Sequence, residues 1–120
     1  MSGVADSLGM RGLGARDQLV LAALLRLLVR LDGKFSDAEQ DALEEIAMDF
    51  GEKSFWQLMD EAGRTLPDEQ NIRVSAAGVT DTGARRLIFD VILRVAQSDT
   101  IQVREQGLLD WLRSTWQLDG

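Results

Sequence analysis

Between Arg16 and Leu31 the chain reads RDQLVLAALLRLLVRL, and the spacing predicts a helix that is apolar on almost every face. A surface helix carries one apolar stripe, whereas a helix apolar nearly all round has to be enclosed by others. Arg26 and Arg30 stand four residues apart, so one narrow edge reaches water. The run is too short and too interrupted by charge to cross a bilayer. An enclosed helix needs several neighbours, and a chain of 120 residues supplies one domain with a single core.

The neighbours are announced by local punctuation. Gly33 breaks the first helix, and Ser36-Asp37-Ala38-Glu39 then fits a capping box, in which Ser and Glu satisfy each other's backbone amides. A second helix should run to Phe50, with Leu43, Ile46, Ala47 and Phe50 inward and Gly51 as its C-terminal cap. Ser54 and Gln57 repeat the capping pattern and place the start of a third helix, carrying Phe55, Leu58, Met59 and Ala62 inward and stopping at Gly63. Thr65-Leu66-Pro67-Asp68 opens a fourth, with Pro67 in its first turn and Ile72, Ala76 and Val79 buried. Thr80-Asp81-Thr82 begins a fifth that reaches Gln97. Leu87, Ile88, Val91, Ile92 and Val95 form its wide apolar face, and Asp90 is spaced to pair with Arg94. A sixth covers Gln102 to Trp116, with Val103, Leu109, Leu112 and Trp116 inward. No period-two stretch is long enough for a strand, so the expected fold is all-α, a compact bundle of about six helices over residues 16–120. Residues 1–15, with Gly3, Gly9, Gly12 and Gly14, read as a flexible N-terminal arm; a short docked turn at Leu8 to Leu13 is the alternative.

A shift of 66 residues lays the second helix on the sixth and the first on the fifth. Leu27 meets Leu93, Val29 meets Val95, Glu39 meets Glu105, Gln40 meets Gln106 and Leu43 meets Leu109. Phe35, Ile46 and Phe50 meet Ile101, Leu112 and Trp116, apolar for apolar. These matches predict two pseudo-repeated halves. A long apolar helix, then Asp32-Gly33-x-Phe35-x-x-x-Glu39 opening a second, then a weaker copy near the C-terminus, resembles the TerB-like tellurite-resistance family. The same arrangement resembles the region preceding the J-domain in co-chaperones of the DjlA type. The likeness covers residues 16–118 and implies an interaction or sensing role in a bacterial stress response. In the second copy Ser98 stands in place of Asp32, Asp99 in place of Gly33 and Gln102 in place of Ser36, so one half is altered.

Charge and composition narrow the chemistry. Twenty acidic against 13 basic residues give a net charge of −7, with Lys and Arg scattered, which argues against a nucleic-acid surface. Zero Cys removes disulfides and thiolate zinc sites, and zero His removes the commonest general base. The absence of His also excludes a J-domain triplet. No basic segment followed by an apolar run opens the chain, so the expected location is cytoplasmic, without direct membrane insertion. There is no phosphate-binding glycine loop and no Ser with an identifiable base, so no enzymatic activity is expected.

Two candidate sites remain. LDGKFSDAEQ fails as an EF-hand, because placing Gly33 at the glycine position puts Leu28 and Arg30 at ligand positions. A looser divalent-cation site could draw oxygens from Asp32, Glu39, Asp99 and Glu105 if the two loops adjoin; no other cofactor is implied. Glu39 and Glu105 both stand where a capping box and the helix dipole already favour a carboxylate, and that purely structural role is the alternative. The second candidate is the solvent face of helix two, where Asp37, Asp41, Glu44, Glu45 and Asp49 occur with no Lys or Arg between Phe35 and Glu52. It suits docking of a protein partner with a basic surface, or is a solvated face and no more. Of the three Trp, Trp116 falls on the inner stripe and is read as core, and Trp111, on a different face, is also read as core, with covering the arm or a homodimer partner as the alternative. The wide face of helix five is the other dimerisation candidate.

Overall fold

The computed structural model describes residues 12–32 and 36–118. They form α1 (Ala15–Asp32), α2 (Asp37–Phe50), α3 (Glu52–Thr65), α4 (Glu69–Ala77), α5 (Thr82–Gln97) and α6 (Val103–Thr115). No strand occurs among the described residues, and the architecture is all-α. Most of the expected arm (residues 1–11), together with Gly33 and Phe35, lies outside the described residues.

α1 is the enclosed helix. Val20 to Leu25, Leu27 and Leu28 are all buried, and α3, α4, α5 and α6 each pack against it. Ala22 and Ala23, with no exposure, let neighbouring helices approach, while Leu21, Leu24, Leu25 and Leu28 fill the space between them. Each fully buried Leu contributes about 2 kcal/mol of transfer free energy. The same helix touches α3 and the turn that follows it through polar groups on its one wet edge. Arg26 Nη1 donates to Met59 O and Arg30 Nη1 donates to Pro67 O, each at 3.3 Å.

α2 begins with the expected capping box at Ser36 and Glu39 and ends at Gly51. Gly51 has φ 117°, donates to Ala47 O and accepts from Phe55 N at 2.8 Å, so it closes α2 and opens α3 at once. α3 therefore starts at Glu52, not Ser54, and the Ser54–Gln57 pattern lies within the helix. Gly63 does not stop α3 either. A Cβ there would come within 2.6 Å of Arg26 Nη2, so this glycine makes room for the guanidinium mid-helix. α4 is capped by Asp68, whose side chain accepts the Asn71 N–H; Pro67 precedes the cap rather than occupying the first turn.

α5 buries Ile88, Val91, Ile92 and Val95 as expected, plus Phe89. That face is consumed by the core of the single chain, with Leu87 half-buried at its edge. Arg94 pairs with Glu45 of α2 at 2.8 Å instead of with Asp90, because a cross-helix carboxylate lies within its reach. In α6 the inward stripe is Glu105, Leu108, Leu109 and Leu112, whereas Val103 is 88% exposed. Val103 stands two residues before Glu105, about 200° around the helix, and so faces outward. Trp116 is core, and its Nε1 donates to Ala76 O at 2.8 Å.

Candidate functional site

The only buried charged residues among those described are Glu39 and Glu105, 1% and 0% exposed. Their burial follows from spacing. Glu39, Ala42, Leu43, Ile46 and Phe50 are one buried stripe, and Glu105, Leu108, Leu109, Leu112 and Trp116 repeat its intervals in α6. In both helices the carboxylate is the first member of the inward face. At α2, Ser36 Oγ accepts the Glu39 N–H at 3.1 Å and Glu39 Oε1 accepts the Ser36 N–H at 3.2 Å. At α6, Gln102 and Glu105 occupy the same capping-box positions, and Glu105 Oε1 accepts the Gln102 N–H at 2.8 Å. The positive end of each helix and these charge-assisted bonds offset the desolvation of the carboxylates.

The two helix starts adjoin. Asp99, in the turn before α6, accepts from Thr100 N at 2.7 Å and lies near the Ser36 hydroxyl at the start of α2, which itself donates to Glu39 Oε1 at 3.3 Å. The Thr100 amide chiefly, and then Ser36, hold the Asp99 carboxyl below its ordinary value. Of the four candidate cation ligands, then, Glu39 and Glu105 are buried at their caps and Asp99 lies exposed beside Ser36. The side chain of Asp32 is outside the described residues. Among those described, no group of three or more acids is gathered closely enough to hold a metal ion.

On the outer face of α2, Asp37, Asp41, Glu44, Glu45 and Asp49 are all exposed. Glu45 is committed to Arg94, and Glu44 Oε2 accepts from Gln40 Nε2 at 3.3 Å. Asp37, Asp41, Glu44 and Asp49 form no ion pair among the described residues.

Beside this face lies a cavity of about 410 Å³ that sequence reasoning missed. Val29, Leu43, Met59 and Trp56 supply its apolar lining, while Arg26 and Arg30 of α1 and Gln40 and Glu44 of α2 supply its polar walls. Trp56 is 41% exposed, its ring held edge-on against Phe55 with centroids 4.9 Å apart. The available signal was a large aromatic beside Phe55, on the polar side of the α3 stripe. Trp111, by contrast, is half-buried on the core with Arg73 stacked 4.7 Å from its ring centroid.

The chain matches no family model, no curated protein and no solved structure. No helix among the described residues is long and apolar enough to cross a membrane.

Proposed function

We propose that this chain is a non-catalytic interaction or sensing module that meets a protein partner with a basic surface through the outer face of α2. One observation carries this reading. α2 holds six acidic and no basic residues, and four of the acids stand exposed without an ion pair. Like charges at helical spacing repel one another, and Asp49 lies near the end of the helix where the dipole disfavours it. A basic partner relieves both penalties and gains rate and specificity from the complementary charge. Reversing Asp37 and Asp41 to Lys should abolish salt-sensitive capture of a basic partner from lysate, with the thermal midpoint essentially unchanged. Unchanged capture by the reversed protein counts against the reading.

TerB-like membership belongs to this proposal, and it is supported by the 66-residue offset that carries the start of α2 onto the start of α6 with a buried Glu in each. A bacterial stress response to tellurite or metal, in the cytoplasm, rests on the resemblance alone. A second reading, a divalent-cation site at the two helix starts, is favoured by the nearness of the Ser36 hydroxyl to the Asp99 carboxylate. Titration with calcium, magnesium, zinc and manganese followed by amide NMR tests it. Saturable shifts around Glu39, Asp99 and Glu105 that vanish in Asp32→Asn support it, and their absence at millimolar cation rejects it.

A further inference from the structure

The cavity between α1, α2 and α3 has walls of opposite sign. Arg26 and Arg30 stand on the α1 wall, each tied by Nη1 to a backbone carbonyl, and Glu44 stands on the α2 wall. No ion pair joins the two walls. Asp37, Asp41 and Glu44 lie on one edge of α2 at intervals of four and three, a row about 10 Å long leading to the cavity mouth. The lining is Trp56, Leu43, Met59 and Val29. A half-exposed indole over an apolar pocket, ringed by charge, has the composition of an interface anchor.

We infer that this cavity docks a short amphipathic helix of a protein partner, with its apolar stripe on Trp56, Leu43 and Met59 and a Lys or Arg edge along Glu44, Asp41 and Asp37. The inference rests on the acidic-face reading above and names the partner's shape. Charge complementarity selects the occupant. A second copy of this chain brings another net −7 to an acidic surface, and residues 1–11 carry a single basic residue, Arg11, against Asp6. A groove between helices accepts a helix through anchors at i, i+3, i+4 and i+7, and the described residues offer no sheet edge to which a strand could add. The row of acids at helical intervals along α2 matches basic residues at the same intervals on a helix laid beside it. Arg26 and Arg30 face the opposite edge of that helix, so a partner basic on both edges is rejected.

A phage-displayed library of helix-patterned peptides, selected on the full chain, tests this. Enriched peptides should carry an apolar stripe with Lys or Arg on one edge only. They should shift the Trp56 indole N–H signal, leaving those of Trp111 and Trp116 in place. Trp56→Ala and Glu44→Lys, both checked for an unchanged melting curve, should each weaken binding at least about tenfold. Replacing the peptide's Lys by Glu should restore affinity for Glu44→Lys. Failure to enrich any peptide, or binders indifferent to Trp56 and Glu44, overturns the inference. Binders that need Asp37 and Asp41 but not Trp56 overturn the groove and leave the acidic-face reading standing. A homodimer in sedimentation that Trp56→Ala dissolves assigns the groove to a second copy and also overturns it.

Discussion

At the start of α2, Ser36 and Glu39 each accept the other's backbone N–H; at the start of α6, Glu105 accepts from the N–H of Gln102, and the long amide of Gln102 stands where α2 has the short hydroxyl of Ser36. Both carboxylates are buried, and both head an inward stripe with the same intervals. The two starts therefore keep the Glu and differ in the hydroxyl. An N-cap side chain near solvent can be replaced by water at modest cost, whereas removing a buried Glu side chain leaves both an unmade bond and a cavity. The carboxylate is the indispensable part of the device because it works inside the protein, where the dielectric is low and solvent does not compete.

Substitutions can break or sharpen this comparison. Glu105→Ala should cost most, about 3 kcal/mol, since it removes the acceptor of the Gln102 N–H and leaves a cavity where the side chain is fully buried. Glu39→Ala should cost about 2 kcal/mol, because Ser36 Oγ still accepts the residue-39 N–H. Urea midpoints measure both, and a reversed order would break the asymmetry between the two starts. Ser36→Ala should cost about 1 kcal/mol. Gln102→Ser should raise stability by about 0.5 kcal/mol, because a short hydroxyl caps a helix better than a Gln side chain; no gain would mean that the two starts differ in backbone geometry as well as in sequence.

The smallest effect concerns pH. Asp99 is lowered below its reference value of 3.8, so its contribution to stability is complete above that value and is lost as the pH falls through the depressed one. In Ser36→Ala the Asp99 carboxyl should titrate at a higher pH than in the parent, read by carboxyl carbon NMR. An unmoved titration would show that the contact between the two starts does not persist in solution.

Legibility varied with the range of the interaction. The cap at Ser36, the stop at Gly51 and the cap at Asp81 were readable because each is satisfied within about four residues. The burial of Glu39 and Glu105 was written in the stripes but hidden by their identity, since a carboxylate is ordinarily assigned to water. Ser54 misled because Gly51 serves two helices and leaves no loop for a separate cap. Gly63 misled because an arginine from another helix needs its space. Val103 was placed inward by being apolar, when the helical period puts Leu108 there instead.

The sequence by itself determined an all-helical chain organised around α1, because apolar periodicity and local caps are short-range properties of the backbone. Tertiary structure alone decided which polar groups meet: Arg94 with Glu45, Arg26 with Met59 O over Gly63, and the Ser36 hydroxyl near Asp99. It also decided that Trp56 lines a cavity while Trp116 lies in the core. Those outcomes depend on residues 33 to 63 apart in the chain being brought together by helices packing at a definite angle and register, and no local period encodes that geometry.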